Sequence, residues 1–64
     1  MHVITTQEFK TGKKLYIYSE RIMWFKDNND DRVTCCEVHL NNGEVIKTKE
    51  LAAGIYDKMT AIRT

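Results

Sequence analysis

Apolar Cys36, Val38 and Leu40 alternate with polar Glu37 and His39, and after Asn41-Asn42-Gly43 a second β-prone run, Glu44-Val-Ile-Lys-Thr48, follows. Period two marks a strand with one buried face, so strands over about 32–40 and 44–48 are expected around a tight turn. Two registers compete. A two-residue turn at Asn42-Gly43 would set Val38 opposite Lys47 and Leu40 opposite Val45. A three-residue turn over Asn41-Asn42-Gly43, with the glycine left-handed in a bulge, pairs Leu40 with Glu44 and Val38 with Ile46. It also sets Glu37 opposite Lys47, a cross-strand pair of opposite charge. Thr34, Cys36, Val38, Leu40, Ile46 and Thr48 then share one face, and Glu37, His39, Val45 and Lys47 the other. The bulged register gives the cleaner apolar side and is the one expected.

Three further β-prone runs precede this hairpin. Val3–Thr6 opens the chain, within a strand of about 2–6. Leu15–Tyr18 alternates Leu-Tyr-Ile-Tyr, within 14–18, and Ile22-Met-Trp-Phe25 resumes within 22–26 after the interruption at Ser19-Glu20-Arg21. Lys10–Lys14 reads as a turn around Gly12. Asp27-Asn-Asn-Asp-Asp31 reads as a solvated polar loop, because Asn and Asp favour turns and tolerate left-handed backbone. It lacks the spacing and distal glutamate of a calcium loop.

The tail changes period. Leu51, Ile55, Met59 and Ile62 recur at i, i+4, i+8 and i+11, with Ala52 widening the stripe, which predicts an amphipathic helix over about 50–62. Gly54 inside it costs about 1 kcal/mol against alanine and points to a close approach of the helix to the sheet or to a tolerated weakness. The expected fold is a single α+β domain spanning 1–64: a small antiparallel β-meander of three to four strands packed against one carboxy-terminal helix.

Composition narrows the function. With 64 residues, a chain buries only about 60% of the surface its unfolded form exposes. Self-association is therefore the expected source of missing stability. Nine acids against ten bases give a net charge of +1, and 42% hydrophobic residues argue against disorder. That balance supplies no general attraction to nucleic acid or to an acidic membrane. No apolar run approaches the roughly 20 residues of a membrane span. Met1–Thr6 has no basic segment followed by an apolar one, so no secretory leader is expected and a cytoplasmic setting is.

The order of strand, polar break, Ile-x-x-Phe, polar loop, Val-x-Leu-x-Asn-Gly and Val-Ile-Lys-Thr-Lys-Glu before a helix resembles the FlbD-type family of small proteins linked to bacterial flagella and swarming. Leu15, Ile17, Ile22, Phe25, Val38, Leu40, Asn42, Gly43, Ile46, Thr48, Glu50, Ile55 and Met59 carry the resemblance, across roughly residues 13–62. Ser19 stands where that pattern commonly has proline, and the Asp27–Asp31 loop is longer and more polar. The resemblance implies a non-enzymatic accessory protein, bacterial or phage-encoded, that works through protein contacts. The hairpin followed by a basic strand is also weakly similar to part of a LytTR-type DNA-binding domain, which is longer and more basic.

The chemistry-bearing residues fall short of a catalytic set. Cys35 and His39 project to one face of a strand and Cys36 to the other. Two convergent ligands are short of the four usual for structural zinc, so no metal or other cofactor is expected. Positions i and i+4 on a strand lie about 13 Å apart at ~3.3 Å per residue, so Cys35 and His39 cannot act as nucleophile and base. Cys36 is expected buried and Cys35 half-exposed. Gly12 and Gly54 stand alone and Gly43 belongs to a hairpin, so no phosphate-cradling loop is present. No enzymatic activity is expected.

The outward aromatics are the stronger candidate. If Leu15 and Ile17 face the helix, Tyr16 and Tyr18 face away, joined by Met23 or Trp24 and by Val45. One helix covers one sheet face, so this set reads as a subunit interface or ligand platform. The first expectation is a homo-oligomer, dimer or higher, that binds a further protein. The alternatives are a nucleic-acid regulator using Lys13, Lys14, Lys47 and Lys49 on phosphates, and a small-ligand sponge lined by Tyr16, Tyr18 and Trp24 at oligomer interfaces.

Overall fold

The computed structural model describes residues 2–30 and 33–61. Among these residues five strands precede one helix: β1 (Val3–Gln7), β2 (Lys14–Tyr18), a 3-10 turn at Ser19–Arg21, β3 (Ile22–Asp30), β4 (Val33–Leu40), β5 (Val45–Thr48) and α1 (Ala52–Thr60). The fold is α+β, as expected, but the strands form two antiparallel sheets, β1-β2 and β3-β4-β5. The second is the meander. The sheets are stitched where the end of β1 meets β5: Glu8 bridges Thr48, Phe9 N–H donates to Lys47 O (3.0 Å), and Lys49 N–H donates to Gln7 O (3.0 Å).

The hairpin takes the bulged register. Val38 pairs with Ile46 and Glu37 with Lys47, and Leu40 N–H donates to Glu44 O at 2.9 Å. Gly43 sits at φ +91°, a conformation that costs a residue with a Cβ roughly 1–2 kcal/mol. Asn42 Oδ1 accepts from Glu44 N–H (2.9 Å) and completes the turn.

Three expectations are corrected. Asp27, Asn28 and Asn29 are not loop. They continue β3, facing Cys36, Cys35 and Thr34 across the ladder, and the backbone pairing ends at Asp30 with Val33. Asp31 of that expected loop lies outside the described residues. Strand pairing with β4 overrides the turn preference of Asn and Asp, which is a local bias only. Second, the helix starts at Ala52, not at 50. Leu51 is its extended N-cap residue and is 41% exposed, so it leaves the predicted buried stripe. Ile62, the last residue of that stripe, lies outside the described residues. Third, Cys35 is buried rather than half-exposed, at 2%.

The core lies between the helix and the inner sheet faces. Ile55 is fully buried among Ile4, Ile17, Cys36, Val38 and Leu40, with Leu15, Ile22, Phe25, Ile46, Ala52 and Met59 packed around them. It therefore ties both hairpins to one helix. Cys36 sits deep in this core, and burial pushes its thiol up to about 11, with the Asp27 carboxylate adding to the rise. The protonated thiol is favoured in the fold. Its contribution to stability is therefore complete below the ordinary thiol range, near 9, and is lost as pH climbs towards 11. We expect an alkaline fall in melting temperature over that interval, shallower in Cys36→Ala. An identical alkaline limb in the variant would refute the assignment.

The start of α1 has no cap from its own sequence. Leu51 offers no side-chain acceptor, and Asp27 Oδ1, from β3, takes the Ala52 N–H at 2.7 Å. A carboxylate there satisfies an orphan donor and faces the positive end of the helix dipole. Asp27→Ala is expected to cost about 1 kcal/mol in urea denaturation, and Asp27→Asn less. Equal loss from both would mean that the side chain does not act as a cap.

Candidate functional site: the outer sheet face

The side of the three-stranded sheet away from the helix carries a row that crosses all three strands. Trp24 is opposite His39 on β4, and His39 is opposite Val45 on β5. The Trp24 and His39 rings are stacked, with centroids 3.6 Å apart and planes inclined by 12°. A bulge between Ile22 and Trp24 inserts Met23 beside this row, 62% exposed. Trp24 and Val45 are also exposed. Phe9 lines a groove with Val45, together with Glu8, Lys10 and Lys47, so the apolar row runs on towards the stitched junction.

A charged row borders it. Lys26, Glu37 and Lys47 are cross-strand neighbours. Lys26 Nζ stands 5.7 Å from the Trp24 ring centroid, within the range of a cation–π contact. Glu37 takes the His39 ring nitrogen at 3.4 Å and the Asn28 amide on its other side. The His39 contact, supported by the Asn28 hydrogen bond, holds the Glu37 carboxyl below its usual range. The result is a stacked aromatic centre with a polar border.

Tyr16 and Tyr18 are placed elsewhere. They lie on β2 with Val3 and Thr5 of β1 opposite them, and both are exposed. They belong to the two-stranded sheet, whereas Trp24 belongs to the three-stranded one. The outward aromatics are therefore divided between the two sheets. Alternation along each strand shows that they face outward; which sheet each strand joins is not written in that alternation.

The lysines are partly gathered. Lys49 lays its side chain over the Lys10–Lys14 turn, its Nζ 3.4 Å from where a Cβ on Gly12 would stand. Lys47 and Lys10 line the Phe9 groove. Lys14 lines a different groove with Thr5, Thr6, Gln7, Glu50 and Lys58, and Lys13 is exposed beside it in sequence.

The inner polar hub was not anticipated. Glu50 Oε1 accepts from Thr6 Oγ1 (3.0 Å) and lies 2.8 Å from Lys58 Nζ, while Lys58 also reaches the Thr5 carbonyl. Thr48 Oγ1, fully buried, donates to Glu50 O at 2.7 Å. Gly54 belongs to the same arrangement, since a Cβ there would meet the Glu50 side chain at 2.6 Å. The close approach expected of Gly54 is thus to Glu50, not to the sheet. Only the buried-position alternation of Ile4 and Thr6 hints at this hub in the sequence.

Among the described residues, no group of three or more His, Cys, Asp or Glu side chains is placed to hold a metal ion. Both cysteines are free and buried. No helix among those residues is long and apolar enough to cross a membrane. No known family model, curated protein or solved structure matches this chain.

Proposed function

We propose that this is a small, non-enzymatic accessory or regulatory protein that works by binding another protein, of motility type or encoded by a phage or mobile element. The observation that carries the reading is the row Trp24, His39, Val45 with Met23 at its end, in which Trp24, Val45 and Met23 are exposed and His39 is half-buried, bordered by Lys26, Glu37 and Lys47. An apolar, aromatic centre inside a charged rim is the anatomy of a protein interface. The Trp24–His39 stack presents a flat surface that loses little side-chain freedom on binding. The resemblance to FlbD-type proteins supports the same class of function.

The test is site-specific photo-crosslinking in cells from a benzophenone amino acid placed at Met23, with Asn42 as a control position. A single heterologous polypeptide crosslinked from position 23, absent from position 42, and lost with Trp24→Ser, is the expected result. Equal labelling from both positions, or none, would sink the reading. A crosslink from position 23 to a second copy alone would reassign this face to self-association.

A second reading rests on Lys49 lying over the Gly12 turn, which gathers the basic residues of the turn and of β5 near Phe9. It makes the protein a small nucleic-acid-binding regulator. Its affinity for single strands would then fall with salt, with a log–log slope of about 0.7 per phosphate contacted. A salt-independent or absent interaction removes it.

A further inference from the structure

We propose that the free edge of β2 pairs with the same edge of a second copy, making a two-fold dimer with Tyr16 on the axis. This rests on the protein-binding reading only in making the chain an interaction protein; it uses a different surface.

The ladder to β1 fixes which main-chain groups of β2 point outward. Glu8 N–H donates to Lys13 O and Ser19 N–H donates to His2 O, both at 2.8 Å. In an antiparallel pair the hydrogen-bonded residues alternate along the strand. Lys13, Leu15, Ile17 and Ser19 therefore aim their main-chain groups at β1, and Lys14, Tyr16 and Tyr18 aim theirs at the open side. Among the described residues no backbone hydrogen bond reaches those three on that side. An unpaired strand edge is a template for another strand.

The molecule has a second outer edge, on β3, and it is guarded. A bulge at Met23 breaks its line, and Asp27 on that strand is engaged with the start of the helix. The edge of β2 has neither device: five regular residues, no proline, no bulge.

The occupant follows from self-complementarity. An antiparallel pairing centred on Tyr16 places Tyr16 opposite Tyr16, Lys14 opposite the second copy's Tyr18, and Leu15 opposite the second copy's Ile17. Every outward main-chain donor of the three residues then meets an acceptor. On the outer face each ammonium meets a tyrosine ring, the arrangement a cation–π contact needs. Charge agrees as well, because the basic Lys10–Lys14 turn of one copy is brought alongside the other's Glu20, which follows β2 and is exposed. On the inner face the half-buried Leu15 gains an apolar neighbour. A five-residue edge is a small interface, so the dimer belongs to the weak, reversible class.

The experiment uses the full chain. Light scattering across a concentration series is combined with photo-oxidative tyrosine crosslinking and peptide mass spectrometry. A reversible dimer with a Tyr16–Tyr16 dityrosine link is expected. Tyr16→Lys puts like charges across the axis in both copies, and Kd should rise by about tenfold or more. The same chain made by chemical synthesis with an N-methyl group at Tyr16 removes an outward N–H without touching the β1 ladder, and should also weaken the dimer while circular dichroism stays native. A folded monomer at millimolar concentration overturns the proposal. So does a dimer that survives both changes or that links through Tyr56. In all three cases the Met23 crosslinking experiment still stands or falls by itself.

Discussion

Ile55→Ala is expected to leave most of the protein unfolded at 37 °C. Ile55 is fully buried and is the residue of α1 that meets both hairpins in the core. Truncation to alanine removes transfer free energy and leaves a cavity, together costing about 2–5 kcal/mol. A domain of 64 residues has roughly 3–10 kcal/mol in total, at about 0.05–0.15 kcal/mol per residue. The two ranges overlap, so one side chain decides whether the fold exists. Ile55→Val is the control and is expected to cost about 0.5–1.5 kcal/mol. Urea denaturation followed by circular dichroism separates them. A loss under about 1 kcal/mol for the alanine variant would mean that Ile55 does not anchor the helix in the core.

Glu50→Ala is expected to cost about 1–3 kcal/mol, although Glu50 lies outside the apolar core. The reason is what it leaves behind. Thr6, 3% exposed, loses the acceptor for its hydroxyl, and Lys58 loses its ion pair. A buried donor without a partner keeps its full desolvation penalty, whereas the exposed half of the hub is screened. The buried hydroxyl should therefore account for most of the loss. A double-mutant cycle tests this: Thr6→Val in the Glu50→Ala background is expected to recover stability, and Lys58→Met to change little. Additive losses would show that the two residues do not interact. Gly54→Ala probes the same hub from the other side. It gains about 1 kcal/mol of helix propensity but drives a methyl into the Glu50 side chain, so the gain is expected to be largely cancelled in the wild type and realised in Glu50→Ala.

The β4–β5 hairpin is the part most fully legible beforehand. Asn41-Asn42-Gly43, the Glu37–Lys47 pair and the apolar identity of Val38 and Ile46 all demand one register, and the fold adopts it. The opposite holds for Asp27. Its local preference is for a turn, yet it extends β3 and caps a helix 25 residues away. A contact at that separation has no local signature, so a reading by windows cannot find it. Cys35 makes the same point on the outer face. The period-two pattern put it among half-exposed residues, whereas beside Asn28 it is almost completely buried.

The aromatic residues show where the boundary lies. That Tyr16, Tyr18, Trp24 and Val45 face outward follows from alternation along each strand, because successive side chains point to opposite faces. Whether they meet depends on which strands are neighbours. The stitch between Glu8 and Thr48 sets β1 and β5 side by side and leaves β2 and β3 each paired on one side only, so the tyrosines and the tryptophan belong to different sheets. The sequence by itself determined the order and approximate positions of the elements, the α+β class, the hairpin register and most of the inward and outward positions, since periodicity and turn chemistry act within a few residues. Only the tertiary structure decided the strand order, the burial of Thr6 against Glu50, the cap on α1 and the division of the aromatic surface. Each of these depends on contacts between distant segments, whose free energies appear only once the chain has closed on itself.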